Sequence, residues 1–183
     1  MQTLLETDRE VFQLLNQEWT AGWLDPIMVF LTMISEHAFF WWVIAVLLLV
    51  FRRKIGSVIP AVTLISSLAV TFLIRNALAF LVNRPRPPLS EENARQLVEL
   101  PVSPSFPSTH AATSFAAMYV LLYFFPSARY WAIPLAVTFA YTRLYVGVHF
   151  PTDSLAGALL GIMLAAVTTA VITSRAYKKQ PYA

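Results

Sequence analysis

Long apolar runs separated by short polar stretches make up the chain from residue 26 onwards. Five such runs lie at about residues 26–51, 57–82, 108–125, 130–148 and 151–174. The first two are each long enough to cross a hydrocarbon core of about 30 Å as a helix, whereas the third and fourth are shorter. The pattern predicts an all-α integral membrane protein with about five transmembrane helices, in a bundle that covers residues 26–174.

The first 25 residues follow a different pattern. Five acidic residues accompany the single cation Arg9, and apolar residues recur at roughly helical spacing, at Leu4, Leu5, Val11, Phe12, Leu14, Leu15 and Trp19. This pattern is typical of an amphipathic helix lying in a membrane interface. We expect residues 1–25 to form such a helix, with a solvated acidic tail as the alternative. The stretch lacks the apolar core of a secretory signal peptide, so the internal spans are expected to direct insertion.

The composition agrees with this class of protein. The 183 residues are 57% hydrophobic and only 13% charged, with a mean hydropathy of +0.61, which lies outside the range of soluble domains. The length suits a single domain over residues 1–183. A net charge of +3 is too small to indicate a nucleic-acid partner. The absence of cysteine from the sequence excludes a disulfide framework, a thiol nucleophile and a Cys-ligated metal.

The distribution of cations predicts the orientation in the membrane. Cations follow the first run, the third run and the fifth run, at Arg52, Arg53, Lys54, Arg129, Arg175, Lys178 and Lys179. With five spans these residues share one side, which the positive-inside rule makes cytoplasmic. We therefore expect a cytoplasmic tail at residues 175–183 in a cytoplasmic membrane, with the N-terminus, residues 83–107 and residues 147–150 outside.

Polar and ionisable residues collect at the predicted outer end of the bundle. They are Arg84 and Arg86 after the second run, Ser108, Thr109 and His110 at the start of the third, Arg143 near the end of the fourth, and His149 and Asp153 around the start of the fifth. Ionisable groups are costly in a membrane bundle and usually face one another or a wet cavity. Singly, each could be a helix cap, a lipid-headgroup anchor or an interfacial side chain, but their joint placement favours a functional site.

The residue types in this group suit phosphate chemistry. Guanidinium groups bind phosphate oxygens in pairs. Ser108 can cap a helix whose first free N–H groups would bind an anion. Two histidines can divide nucleophilic attack and proton transfer. Asp153 lies one helical turn after His149 and can fix the tautomer of that imidazole.

Two of the motifs resemble those of the type 2 phosphatidic acid phosphatase (PAP2) superfamily closely. Arg143, His149 and Asp153, with five and three residues between them, fit the family's third motif without a gap. The sequence "PSTH" at residues 107–110 is similar to the family's Pro-Ser-Gly-His, with Thr109 in the place of the glycine. The resemblance extends over about residues 75–157 and looks most like the undecaprenyl-diphosphatase branch of bacteria.

The first motif of the family departs from the pattern at one position. Arg86 and Pro87 match its Arg-Pro pair, but Ala79 stands where the family has a lysine. We expect Arg84, in the proline-rich stretch beside Arg86, to supply the missing charge. Arg75 lies one turn before Ala79 and about 6 Å deeper along the helix, so we expect it to be mainly structural, paired with Glu36.

The resemblance implies a role for each matched residue. His149 would attack phosphorus and form a phosphohistidine, Asp153 would orient His149, and His110 would protonate the leaving group. The phosphoryl oxygens would be held by Arg86, Arg143, Ser108 and the backbone of Thr109. The family uses no metal and no cofactor, so none is expected.

Glu36 and His37 lie inside the first apolar run, outside the three motifs. An intramembrane carboxylate is a functional hypothesis by default. We assign Glu36 to the substrate site, with a polar contact to a neighbouring helix as the alternative, and expect His37 to support structure.

These observations predict a membrane lipid phosphatase that acts on a lipid phosphate or diphosphate, in particular undecaprenyl diphosphate. Within the same class, the alternatives are a phosphatidylglycerophosphate, phosphatidate or lipid A phosphatase. From another class, a small lipid transporter or scaffold would also gather polar residues at helix ends, but its site should lie near the bilayer midplane. The expected partners are the lipid substrate and the bilayer, and the oligomeric state stays open.

Overall fold

A computed structural model describes residues 2–178 of the chain. Its α-helices are α1 (Gln2–Gln13), α2 (Asp25–Ile34), α3 (Phe39–Val50), α4 (Arg52–Ile55), α5 (Ile59–Val82), α6 (Thr109–Phe124), α7 (Arg129–Tyr145) and α8 (Pro151–Lys178). A π-helical turn, Leu14–Glu18, continues α1, and short 3₁₀ turns lie at Glu36–Ala38, Pro87–Leu89 and Pro126–Ala128. The part of the chain that the structure describes holds no β-strand, as the all-α prediction requires. Lys179 and the rest of the predicted tail lie outside the described residues.

The first apolar run is broken, where the sequence predicted one continuous helix. The axes of α2 and of the helical segment after it differ in direction by 46°. At the break His37 and Ala38 have φ of 48° and 60°, in the left-handed region that costs an L-residue about 1–2 kcal/mol. The break lies where the polar pair Glu36 and His37 interrupts the apolar run, and it turns both side chains toward the end of the bundle that holds the other polar residues.

Two helices, α5 and α8, are each long and apolar enough to cross a membrane, and α2 with α3 makes a third span if the bent pair is counted as one. Both α6, with 16 residues, and α7, with 17, are shorter. At 1.5 Å per residue α6 reaches about 24 Å, less than a full hydrocarbon core. Within residues 2–178 the structure therefore has two or three membrane-capable spans, and the count of five stays a prediction.

Helix α6 lies at the centre of the bundle, against α5, α7 and α8. Its buried face is built mainly from small residues, four of them alanines, which allow the neighbouring backbones to come close. Two glycines of α8 lie against this face, since a Cβ at Gly157 would lie 2.6 Å from the carbonyl oxygen of Ser108 and one at Gly161 would lie 2.0 Å from that of Ala112. This packing fixes the start of α8 against the start of α6, which are the two helix ends that carry the polar motifs.

Helix α1 packs on the same end of the bundle. Phe12 and Asn16 are fully buried, and the Phe12 ring lies 5.4 Å from that of Phe150. Leu4 and Leu5 on the other face of α1 are exposed. Helix α1 and the π-helical turn after it cover residues 2–18 of this region, and an interfacial helix over residues 1–25 stays a prediction.

The long connection between α5 and α6, residues 83–107, is fastened to α1 and α2. Arg95 binds both carboxylate oxygens of Asp25, at 2.8 to 2.9 Å, and its amide donates to the side-chain oxygen of Asn16 at 2.7 Å. Asn16 in turn donates to the carbonyls of Arg95 and Tyr145. These contacts hold the connection in place across the polar end of the bundle.

Candidate active site

The polar motifs meet around one cavity of about 430 Å³. All three histidines of the sequence border it, together with three arginines, one carboxylate and one threonine: His37, His110, His149, Arg75, Arg86, Arg143, Glu36 and Thr109. The cavity lies where α5 ends, where α6 begins and where the turn of residues 146–150 leads into α8. This convergence brings together residues that are far apart in the sequence.

His149 and Asp153 form the buried pair that the sequence spacing predicted. The Nδ1 atom of His149 lies 3.4 Å from Oδ2 of Asp153, and both side chains are almost completely inaccessible. Burial among protein atoms is the largest influence on the imidazole and lowers the pKa of His149 to about 3, against the opposing hydrogen bond to Asp153. The imidazole is therefore neutral near pH 7. A proton held on Nδ1 by Asp153 leaves a lone pair on Nε2.

The Asp153 carboxylate is held on both oxygens. Oδ2 also accepts hydrogen bonds from the Phe150 amide, at 2.9 Å, and from the Ser105 hydroxyl. Oδ1 accepts from the guanidinium of Arg84 at 2.7 Å. These contacts leave the carboxylate one orientation, with Oδ2 toward His149.

Arg86 brings a cation to the reactive edge of His149. Its Nη1 lies 3.1 Å from His149 Nε2 and donates to the carbonyl of Val148 at 2.8 Å. Its Nε and Nη2 donate to the backbone carbonyl and the hydroxyl of Ser103. The guanidinium is thus clamped in place before any ligand binds, as an anion site requires.

Arg143 and His110 present unused polar atoms to the same space. Arg143 Nη1 donates to the Thr32 hydroxyl at 2.6 Å. Arg143 Nε and His110 Nε2 are buried and have no hydrogen-bond partner among the described residues. Buried polar atoms are normally satisfied, so two unsatisfied ones at a shared cavity indicate the place of a polar ligand.

Ser108 and Thr109 occupy the start of α6. Ser108 is the N-cap, with its side chain 3.5 Å from the Ala111 amide, and its own amide donates to the Asp153 carbonyl at 2.9 Å. Ser108 is fully buried and is not among the residues that border the cavity, whereas Thr109 is. The cap bond of Ser108 keeps the first turn of α6, with its free N–H groups, beside the cavity.

The expectation for Arg84 and Arg75 needs correction. Arg84 was expected to bind substrate, but its guanidinium lies behind Asp153, bound to Asp8 at 2.6 Å and to Asp153, and it is not on the cavity wall. Arg75 is on the wall, since its long side chain makes up the offset of one helical turn. No salt bridge joins Arg75 to Glu36 within residues 2–178.

Three residues that support the site were not found from the sequence. Ser103 and Ser105 hold Arg86 and Asp153, and Asp8 holds Arg84. The two serines lie within five residues of the motif "PSTH" at residues 107–110, and this proximity is the signal in the sequence that could have identified them. Asp8 lacked any such signal because it is one of several acidic residues in a polar helix.

The described residues contain no group of three or more His, Asp or Glu side chains arranged to hold a metal ion. The cations that border the cavity are side chains of the protein itself.

Comparison with known proteins gives consistent matches. The pattern of the PAP2 superfamily matches residues 60–177. An undecaprenyl-diphosphatase of Sulfolobus acidocaldarius is 31% identical over 175 residues, which cover 93% of this chain and 81% of that protein. The crystal structure of LpxE from Aquifex aeolicus superposes with a TM-score of 0.73 and 27% identity, covering 87% of this chain and 92% of that one.

A second solved structure shares the fold. The PAP2-type phosphatidylglycerolphosphate phosphatase of Bacillus subtilis superposes with a TM-score of 0.76 and 21% identity, over 95% of this chain and 88% of that one. The resemblance inferred from the three motifs is therefore confirmed. The chain belongs to the PAP2 superfamily, and it is an integral membrane phosphatase.

Proposed function

We propose that the protein removes the terminal phosphate of a polyprenyl diphosphate, through a phosphohistidine formed on His149. The orientation of His149 carries the proposal. Its Nδ1 lies 3.4 Å from Oδ2 of Asp153, and its Nε2 lies 3.1 Å from the Arg86 guanidinium at the cavity. A neutral imidazole in this orientation is a nucleophile whose Nε2 faces the place where Arg86 would bind a phosphoryl group.

In the first step, Nε2 of His149 attacks the terminal phosphorus, and the bond from phosphorus to the bridging oxygen breaks. The proton on Nδ1 stays beside Asp153, whose negative charge balances the imidazolium that results. His110 enters this step as an imidazolium, whose charge is balanced by the bound diphosphate. The leaving oxygen takes a proton from its Nε2, the buried atom without a partner among the described residues, and His110 is left neutral.

The phosphoryl group in transit carries charge on three equatorial oxygens. Arg86 and Arg143 bind these oxygens, together with the backbone N–H groups at the start of α6, where Thr109 lies. Arg75 adds a third positive charge in place of the family's lysine. Ser108 acts through the helix cap, by keeping those N–H groups in position.

In the second step, a water molecule attacks the phosphohistidine, and the nitrogen–phosphorus bond breaks. His110, now neutral, accepts a proton from that water, so the enzyme returns to its starting protonation state. Inorganic phosphate and the lipid monophosphate are the products.

An apolar groove supports a lipid with a long chain as the substrate. The groove has a volume of about 360 Å³, lies between α3 and α5, and shares His37 and Phe72 with the catalytic cavity. Its other lining residues include Trp42, Leu68 and Leu73. A diphosphate in the cavity would place its first isoprene units in this groove. The similarity to an undecaprenyl-diphosphatase supports the same substrate class. Glu36, on the cavity wall next to the shared His37, is placed to contact the head group.

The distribution of charge supports a site on the extracytoplasmic face of the cytoplasmic membrane. Arg129 begins α7 and His149 follows its end, so the two residues lie about 25 Å apart along the helix axis. Arg52, Arg53 and Lys54 lie between α3 and α5, at the far end of both helices from the cavity. By the positive-inside rule, this distribution supports a cavity that opens on the outer side.

The substrate is tested by measuring phosphate release from a panel of lipids by the purified protein. We expect the highest kcat/KM for undecaprenyl diphosphate, and lower values for phosphatidylglycerophosphate, phosphatidate and lipid A. Higher values for one of these three would replace the substrate while keeping the chemistry. A folded His149→Ala variant with normal turnover would overturn the mechanism itself.

A further inference from the structure

The Asp153 carboxylate is connected to the N-terminal helix by a continuous chain of charged contacts. Its Oδ1 accepts from Arg84 Nη1 at 2.7 Å, and Arg84 Nη2 donates to Oδ2 of Asp8 at 2.6 Å. Since Asp153 Oδ2 contacts His149, the chain runs from α1 to the nucleophile through two side chains that do not border the cavity.

Asp8 is itself fixed by the start of α8. Its Oδ1 accepts from the Thr152 amide at 2.8 Å, and its Oδ2 accepts from the Thr152 hydroxyl at 2.6 Å. The side chain of Asp8 is only 1% exposed. Asp8 of α1 thus caps the start of α8, the helix that carries Asp153. This contact couples the position of α1 to the position of the Asp153 carboxylate.

The contacts lie in a shielded environment. The Arg84 guanidinium is 4.2 Å from the centre of the Phe150 ring, and Phe150 packs on Phe12 of α1. Charge interactions are stronger where water is excluded. Burying paired charges can cost more free energy than their attraction returns, and replacing such a group with apolar residues of similar volume is often neutral or stabilising. The arrangement therefore calls for a functional reason.

The charge balance supplies that reason. Asp153 and Asp8 share one guanidinium, so the three side chains carry a net charge of −1. In the phosphohistidine of the proposed mechanism, the imidazolium ring keeps its proton on Nδ1 and carries a charge of +1, which this group neutralises. Arg84 also prevents Asp153 from rotating Oδ2 away from His149.

We propose that Asp8 and Arg84 are positioning residues for the pair His149 and Asp153, so that α1 is part of the catalytic machinery. The inference rests on the proposed function, because it acts through the nucleophile assigned there. Neither residue touches the substrate in this account. Their loss should therefore lower kcat and leave KM unchanged.

The structure offers a matched control on the same helix. Arg9 of α1 pairs with Glu91 of the 83–107 connection at 3.0 Å, and neither residue contacts Asp153. Arg9→Gln removes a charged contact that fastens α1, without changing the chain of charges. This variant separates a weaker attachment of α1 to the bundle from a loss of the orientation of Asp153 and His149.

The experiment measures phosphate release from farnesyl diphosphate by full-length protein in detergent, with thermal stability recorded for each variant. Arg84→Gln should lower kcat roughly ten- to a hundredfold, by analogy with the partners that orient metal-ligating histidines, with KM within about twofold of the original. Asp8→Asn, which has the same shape, should lower kcat about tenfold. Arg84→Lys should restore part of the loss, and Arg9→Gln should keep the original kcat.

The double variant Asp8→Asn/Arg84→Gln identifies the route of the effect. If Asp8 acts only through Arg84, the double variant has the kcat of Arg84→Gln alone. Original kcat in folded Asp8→Asn and Arg84→Gln would overturn the proposal, as would an equal loss in Arg9→Gln or a rise in KM alone. A His149→Ala variant that keeps its turnover would instead overturn the proposed function, so the two failures are distinct.

Discussion

The Nε atom of Arg75 donates a 2.6 Å hydrogen bond to the carbonyl of Pro107, the residue immediately before the N-cap of α6. Its Nη2 donates to the carbonyl of Pro104 at 2.9 Å. Arg75 therefore holds the segment that leads into α6 while its charge borders the cavity. One long side chain thus combines a structural tether with the charge that the family's lysine would supply from the position of Ala79.

This double role predicts the behaviour of Arg75→Ala. The substitution should lower kcat about a hundredfold, as for the loss of one preorganised donor. It should also lower the melting temperature, because the carbonyls of Pro104 and Pro107 lose their donor. Adding Ala79→Lys should restore part of kcat without restoring the melting temperature, since a lysine there returns the charge but not the tether.

The control for that experiment is Ala79→Met in the Arg75→Ala background. Methionine has a similar length to lysine and no charge, so it should restore nothing. An Arg75→Ala variant with normal kcat would show that Arg86 and Arg143 suffice.

His110→Ala should be selective for the leaving group. An alkyl phosphate needs a proton on its departing oxygen, so its turnover should fall about a hundred- to ten-thousandfold. The nitrophenolate of p-nitrophenyl phosphate departs without protonation, and its turnover should fall much less. Equal losses for the two substrates would contradict the role of His110 as the general acid.

Activity should persist in excess EDTA and be inhibited by vanadate. The charge of the transferring group is neutralised by guanidinium groups in this account, and vanadate adopts the five-coordinate geometry that these groups bind. Assays with and without added Mg²⁺ provide the comparison. A strict requirement for a divalent ion would instead point to Glu36 and Asp153 as metal ligands.

Much of the site could be predicted because the sequence is otherwise apolar. In such a chain an ionisable residue is costly to bury and therefore indicates a functional or structural role. The spacing of His149 and Asp153 also fits one turn of a helix that begins between them. The structure brings these residues together with His110, Arg86 and Arg143, as the motifs indicated. Local spacing was sufficient for contacts made within one helix or beside a helix end.

The rest depended on how far side chains reach and on which helices pack together. The position of the two residues in the sequence favoured Arg84 over Arg75 as a cavity residue. In the structure the long side chain of Arg75 reaches the cavity wall, and Arg84 is not on it. The contact between Asp8 and Arg84 spans 76 positions in the sequence, and no local pattern predicts which acidic residue of α1 turns inward. The bend at His37 was missed because neither glycine nor proline marks it.

The orientation can be tested with single cysteines because the sequence has none of its own. A membrane-impermeant maleimide added to intact cells should label a cysteine at Glu92, an exposed residue of the 83–107 connection. It should label one at Lys54, exposed at the opposite end of the bundle, only after the cells are opened. The reverse pattern would place the site on the cytoplasmic side.

The central claim, nucleophilic attack by His149, is tested most directly by trapping the intermediate. The protein is mixed with farnesyl diphosphate labelled with ³²P in the terminal phosphate, quenched in base, and examined for label on the polypeptide. We expect label that is stable in base and lost in acid, as a phosphohistidine is, and its absence from a folded His149→Ala variant. Label that persists in His149→Ala, or that maps to another residue, would contradict the account.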